Sequence, residues 1–503
     1  MSDIPPASAN QTATADRVPV PQKIAYGLGT VLDMWGHWLY PTLANQVFNI
    51  GLGVSPALVS TAIMMNRIFD AFSDPFFGWW SDNTRTSWGR RRPFMLAGSA
   101  IAGLCLPLLF MVHPGWSQMQ YFWFMVVSSA LYIPVMSCFF MPYVSLGSEL
   151  TPDYHERTSV MSYKYAVQKL PELGLFFAAQ FTTLALWVGA TSTNVGSRLF
   201  GLLTSKAAWA PAAAGAKPNI VLAAQVYCMI LGALMVAAGI VLVAVVRERY
   251  YGKLIAGKQE RTSLVASIKQ TASCRPFLLI IGMRLAYGMG LSMVGTLGYY
   301  DTVYYVCRGD LAAGAAWNFW MGVSGMLLGF LGIPTFTAVA RRLGKRHAMR
   351  AVMITAIGVF VATWWLYDPT HPWLQPLASG FIAFTGAGFW TLDGSMLADV
   401  IDYDELQTGQ RREGVFSSAA SWIMKCGMAL GAGAAGFILS STGFEVALEG
   451  HQTAHAMFMM RFLLALIPII GLVLSLVALT RFPLSHDVMA GIRRQLEARR
   501  GTV

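Results

Sequence analysis

Twelve apolar segments, each at or above the roughly 20 residues that a helix needs to cross a bilayer, divide this chain almost from end to end. They run at 24–50, 56–80, 93–112, 119–148, 159–190, 219–246, 275–305, 312–339, 348–367, 373–399, 414–442 and 455–481. Of the 503 residues, 55% are hydrophobic and only 12% charged. Soluble domains carry about twice that share of charge, so a soluble core is excluded. The expected fold is an all-α membrane protein of twelve transmembrane helices.

Basic residues cluster between alternate segments: Arg90, Arg91 and Arg92, then Arg247 to Arg261, Arg341 to Arg346, Arg411 and Arg412, and Arg493 to Arg500. This is the positive-inside pattern, and it places both termini in the cytoplasm. The net charge of +11 is spread over these short loops rather than over one soluble face, which argues against nucleic acid as a partner. The first twenty residues lack the basic start and apolar core of a signal peptide and are expected to be a disordered tail. Gly78 and Gly89-Arg-Arg-Arg after the second segment are echoed by Gly332 and Arg341-Arg-Leu-Gly344-Lys-Arg after the eighth. The chain therefore divides into a tail (1–22), a six-helix bundle (23–246), a basic linker (247–274), a second six-helix bundle (275–482) and a basic tail (483–503). Two such bundles are a common transporter plan.

Within the second segment, Arg67, Asp70 and Asp74 recur at helical spacing, so all three share one face. Charge at membrane depth is costly and is a functional signal by default. An ion or a proton is the natural guest. The alternative is a buried ion-pair network that only stabilises the bundle.

The run Asp70-x-x-x-Asp74-Pro75-x-x-Gly78-x-x-x-Asp82-x-Thr-Arg85-x-x-Trp-Gly89-Arg-x-Arg-Pro93 resembles the glycoside-pentoside-hexuronide:cation symporters of the major facilitator superfamily. A second stretch, Ala398-Asp399-Val-Ile-Asp402-Tyr403-Asp-Glu405 through Gly414, is similar to the segment that leaves the family's tenth helix, and Lys425 falls at its eleventh-helix lysine. The resemblance implies a coupling cation, Na⁺ or H⁺, at Asp70 and Asp74, with Ser73, Ser137 and Lys425 beside them. It also implies a gating loop of Asp82, Arg85, Gly89, Arg90, Arg91 and Arg92. Asp399, Asp402 and Glu405 are either its partners across the halves or a solvated helix end.

The superfamily binds substrate between its halves, and sugars are held by polar groups with an aromatic face against the ring. Candidates are Asp33, Trp35, His37, Arg67, Tyr143, Lys164, Trp390, Asp393 and Trp422. Asp33 and Asp393 count because an unpaired carboxylate in a membrane segment needs a reason; each Trp or Tyr has core packing or an interfacial belt as its alternative. The family's familiar galactoside carrier has an acid on the first helix and another on the fourth. Here Asp33 is displaced by one position and Phe140 stands at the second, so a galactoside is not expected.

The resulting expectation is cation-coupled symport of a sugar or glycoside by a monomeric, multi-pass protein of the plasma (inner) membrane, with the lipid bilayer as its surroundings. No cofactor is expected beyond the coupling cation, and no metal beyond Na⁺. Two alternatives keep the fold: a cation-coupled lysophospholipid transporter and a non-transporting membrane sensor. An enzyme is excluded by the lack of a His/Cys metal spacing, a Ser/His/Asp set or a nucleotide-binding glycine loop. The six cysteines are scattered and suit packing rather than disulfides.

Overall fold

The computed structural model describes residues 17–84, 86, 88–150, 154–204, 209–213, 216–248, 274–408, 413–445, 448 and 451–500. Among the described residues the chain forms fourteen α-helices. In the first half these are α1 (Val20–Ala44), α2 (Pro56–Asn83), α3 (Arg92–Cys105), α4 (Gln118–Glu149), α5 (Tyr154–Thr182), the short α6 (Val195–Thr204) and α7 (Ile220–Val245). In the second they are α8 (Arg275–Tyr300), α9 (Leu311–Leu343), α10 (Lys345–Leu366), α11 (Gln375–Thr408), α12 (Glu413–Ser441), α13 (Ala454–Thr480) and α14 (His486–Arg500). α1 runs on into a π-helical turn at Asn45–Gly51, and α8 into one at Asp301–Val306.

Local sequence explains where many of these helices begin. Proline occupies the first turn of α1, α2, α3 and α8, where its missing N–H costs nothing. Ser117 and Gln120 form a reciprocal capping box at the start of α4.

Among the described residues, eight helices are long and apolar enough to cross a membrane by length and composition. α1, α2, α5 and α11 fall outside that set although they are 25, 28, 29 and 34 residues long. Their mean hydropathy is lowered by the polar residues singled out above, so they are the helices that must face the protein interior.

Several boundaries differ from the sequence reading: the tenth segment, expected to end at 399, continues as α11 to Thr408. The fifth segment was expected to reach residue 190, but α5 ends at Thr182. Beyond it the chain folds back through a 3-10 turn at Ala185–Trp187, and Arg198 of α6 donates to the carbonyls of Leu186, Val188 and Gly189. The basic tail is helical: α14 buries Met489, Ile492 and Leu496, spaced along one face, in the apolar cluster of the second half. Of the linker 247–274, residues 249–273 lie outside the described residues.

One apolar cluster joins buried residues from Val18 to Val246, and two others join residues from Phe277 to Leu496. The halves meet along two seams, α2 on α12 and α5 on α9. At Gly436 of α12 the approach is so close that an added Cβ would lie 2.3 Å from the Pro56 carbonyl oxygen of α2; only glycine fits there. At the end of the bundle that carries the two π-helical turns, the Tyr300 hydroxyl donates to Asn49 Oδ1 across the halves.

Candidate functional site

On α2, Arg67, Asp70 and Asp74 are all buried, and they face α12. Lys425 of α12 reaches them: its Nζ lies 3.1 Å from Asp70 Oδ2 and also donates to Asp74 Oδ2. A single ammonium from the second half therefore contacts two carboxylates of the first. The other oxygen of each, Asp70 Oδ1 and Asp74 Oδ1, is enclosed and has no hydrogen-bond donor among the described residues. Buried carboxylate oxygens are normally satisfied, so this pair is spare acceptor capacity for a cation. Beside it Ser73 Oγ and Ser137 Oγ are 2.7 Å apart, which ties α2 to α4.

On the α1 side of Asp70, His37 Nε2 lies 3.9 Å from Asp70 Oδ1 and Nδ1 lies 3.3 Å from Asp33 Oδ1. Arg67 stacks over the Trp38 ring at 4.5 Å and donates to the His37 carbonyl at 3.4 Å. Asp33, His37, Arg67, Asp70, Asp74 and Lys425 thus form one connected charge network across three helices. Next to it, between the halves, lies a cavity of about 310 Å³ lined by Arg67, Trp38, Asn45, Thr296, Tyr299 and Asn318 among others. Arg67 belongs to both.

The remaining predicted substrate residues do not line that cavity. The Trp35 indole donates to the Pro171 carbonyl at 2.8 Å. Tyr143 is fully buried, stacks on Tyr26 at 4.8 Å and donates to the Tyr26 carbonyl, with Lys164 5.3 Å from its ring. The polar tips of Trp35 and Tyr143 are consumed by backbone. Trp390 packs edge-on against Tyr287, and Trp422 lies three residues before Lys425 with 47% of its surface exposed. Asp393 is not an unpaired carboxylate: Arg284 of α8 donates to it in a buried ion pair. Arg284 was visible in the sequence as a charge in the middle of an apolar segment, and Trp38 as a further tryptophan one turn from Trp35.

The loop after α2 has its own organiser. Gly89 adopts φ +111°, and the Glu248 carboxylate accepts the backbone N–H groups of Arg90, Arg91 and Arg92 at 3.0, 2.8 and 3.1 Å. This is an anion held at a helix N-terminus. A side chain at Gly89 would place its Cβ 2.6 Å from Glu248 Oε1. The Arg92 side chain donates to the Val243 carbonyl. Arg85 and the Asp82 side chain lie outside the described residues. In the second half Lys345 donates to both oxygens of Asp399 at 2.7 Å, with Asp402 and Glu405 further along the same helix.

A family model described as MFS/sugar transport protein matches residues 24–486. The isoprimeverose transporter of Lactiplantibacillus pentosus is 25% identical, over 92% of this chain and 88% of that protein. A glucuronide carrier protein homologue of Escherichia coli is 23% identical over 95% of each chain. Among solved structures, a bacterial homologue of the human lysosomal transporter Spinster, in an inward-facing and unoccupied conformation, superposes with a TM-score of 0.62 at 12% identity, covering 95% of this chain and 97% of that one. That likeness shows the fold. With the motif on α2 and the match along nearly the whole chain, the protein belongs to the MFS/sugar transport protein family, in its glycoside-pentoside-hexuronide symporter branch, and is a membrane transporter rather than an enzyme.

Proposed function

We propose that this chain is a cation-coupled sugar or glycoside symporter of twelve transmembrane helices, with both termini on the cytoplasmic side of the plasma membrane. The observation that carries this reading is the pairing of Lys425 with Asp70 and Asp74 across the halves, each acid keeping one enclosed oxygen unpartnered. A cation, Na⁺ or H⁺, entering among those oxygens takes over the neutralising charge and releases the ammonium. Because Lys425 stands on the other half, that exchange loosens a contact between the bundles. Cation binding is thereby linked to the rocking motion that moves a substrate across.

Sugar binds in the adjacent cavity, where the Trp38 ring and the amides of Asn45 and Asn318 supply the aromatic face and hydrogen bonds that sugars use. Relatives named for isoprimeverose and a glucuronide support the substrate class, and the Arg67 guanidinium suits a sugar that carries a carboxylate. Arg90 to Arg92 and the Asp399, Asp402 and Glu405 face lie at the cytoplasmic ends of their helices and form the gate between the halves. The protein acts as a monomer.

Asp74→Asn tests the cation site. In proteoliposomes it abolishes Na⁺- or proton-driven accumulation of isoprimeverose or methyl glucuronide while the protein remains folded in the membrane. Concentrative uptake at the wild-type level by this variant refutes the assignment.

A further inference from the structure

The loop that precedes α10 repeats the loop that precedes α3, with one piece missing. Each turns at a glycine of positive φ, Gly89 at +111° and Gly344 at +82°, and each enters its helix through basic residues, Arg90 to Arg92 in one case and Lys345 and Arg346 in the other. In the first half the Glu248 carboxylate, three residues past the end of α7, accepts the N–H groups of that turn. The matching stretch past α13, Arg481-Phe482-Pro483-Leu484-Ser485, carries no acid. Between this stretch and the Gly344 turn lies a cavity of about 360 Å³, lined by Leu484, Ser485, Gly344, Arg341, Lys345 and Arg346 among others. Gly344 has no side chain to cap α10, so the N–H groups of its first turn lack the acceptor that Glu248 gives the start of α3.

The charge in this cavity is unbalanced as well. Arg341, Lys345 and Arg346 face Asp399, the one acid among the lining residues, which leaves two positive charges in excess. Asp399 is already engaged by Lys345. The Arg341 guanidinium meets no acceptor among the described residues. Arg346 donates from Nη2 to the Thr480 carbonyl at 2.6 Å, but its Nε is enclosed and has no acceptor. The hydroxyls of Thr391, Ser395 and Ser485 line the same space. Two guanidinium forks and several hydroxyls suit a tetrahedral oxyanion, which offers acceptors in several directions at once. A helix N-terminus favours the same guest.

We propose that this cavity is a binding site for a phosphate group, seated as Glu248 is in the first half and held by Arg341, Arg346 and the first N–H groups of α10. Only the placement of the site on the cytoplasmic face rests on the function given above. On that face the group comes either from an anionic phospholipid or from a soluble phosphate. Basic pockets between helices on this side of a membrane suit lipid headgroups, and the apolar side chains of Leu484 and Met489 on the wall suit the stem of a lipid. An anion here also lies against Lys345, where it competes with Asp399 for the ammonium.

The test is the melting temperature of the purified full-length protein at low ionic strength, titrated separately with dihexanoyl-phosphatidylglycerol, with sodium phosphate, and with sodium chloride as the ionic-strength control. Wild type is stabilised by at least one of the two phosphate-bearing probes beyond the effect of chloride. Arg341→Gln and Arg346→Gln each remove a charge-assisted donor and raise the probe concentration needed by about tenfold or more. Arg342→Gln, an exposed neighbour that does not line the cavity, leaves it unchanged. If Arg346→Gln does not fold, because it also loses the Thr480 contact, Arg341→Gln decides. A response to the lipid assigns the site to a headgroup, and a response to phosphate alone assigns it to a soluble anion. Stabilisation by neither probe overturns the proposal. So does equal weakening by Arg341→Gln and Arg342→Gln, which would reduce the effect to the general positive charge of this face. Transport plays no part in the readout, so its failure leaves the proposed function untouched.

Discussion

Replacing Lys425 by methionine separates two roles that the lysine could play at the cation site. The side chain keeps its length and loses its charge, removing the counter-ion that touches both Asp70 and Asp74. At an effective dielectric constant of about 20, one unit charge 3.1 Å from Asp70 Oδ2 is worth about 5 kcal/mol of attraction, and the contact with Asp74 adds a second interaction of that kind. An entering cation in the wild type must replace this attraction before it gains anything of its own. If as little as about a quarter of one such interaction survives as net competition, about 1.4 kcal/mol, Na⁺ binds tenfold more tightly to Lys425→Met than to wild type. The assay is the melting temperature of purified protein titrated with NaCl at alkaline pH, where protons compete least, with choline chloride controlling for ionic strength. A bound ion stabilises the native state by RT ln(1 + [Na⁺]/Kd), so the concentration at which the melting temperature starts to climb reports affinity. The same variant, reconstituted, accumulates no sugar, because cation binding no longer changes any contact between the halves. An onset at a Na⁺ concentration equal to or above that of wild type refutes the argument, since it would mean that the ammonium assists the ion instead of occupying its place.

The buried Arg284–Asp393 pair gives a contrasting expectation: Arg284→Met alone leaves a buried carboxylate unpaired and costs about 3–5 kcal/mol, whereas Arg284→Met with Asp393→Leu regains most of that stability. Transport by the refolded double variant shows that the pair is structural, and a folded but inactive double variant assigns Asp393 to the sugar. At the Gly89 loop, Glu248→Gln weakens three charge-assisted bonds from backbone N–H groups and lowers stability by about 1–2 kcal/mol. Gly89→Ala is worse, because it meets both an unfavourable φ and the Glu248 carboxylate. Both effects are read as lowered melting temperature, and an unchanged value for Glu248→Gln removes Glu248 as the organiser of that loop.

The features legible in the sequence were those that violate an apolar background. Arg67, Asp70, Asp74 and Lys425 stand out because each breaks a hydrophobic run, and the spacing of the first three fixes a shared helix face; the structure adds that Lys425 comes to that face. Pairings made by tertiary packing were not legible. Asp393 reads as isolated because its partner Arg284 is more than a hundred residues away in the chain. Trp35 and Tyr143 look like sugar platforms in sequence, yet their polar tips are bound to the carbonyls of Pro171 and Tyr26, and Trp38, one turn further along the same helix, carries the guanidinium at the cavity. Residues 183–190 are apolar enough to extend a span on paper, and hydropathy alone gave no signal that Arg198 would fold them back. Glu248 was hidden by the basic residues around it, and α14 by its own charge, although Met489, Ile492 and Leu496 mark an amphipathic helix.

The two kinds of contact along the α2 and α12 seam explain why a lysine serves there. The packing of Gly436 on Pro56 is steric and holds irrespective of ionic conditions. The contact of Lys425 with Asp70 and Asp74 is exchangeable, since another cation can take its place charge for charge. Exchange of that kind never leaves two bare carboxylates at membrane depth, a state that would cost several kcal/mol per ion. Arginine would defeat it: a planar guanidinium grips two carboxylates in a rigid fork and resists displacement. Lysine is a point charge on a flexible stem that can swing away as the ion enters. The seam therefore combines a fixed hinge of small residues with one ionic contact whose strength depends on the coupling ion, which is what a carrier needs if the ion is to bias the movement of its halves.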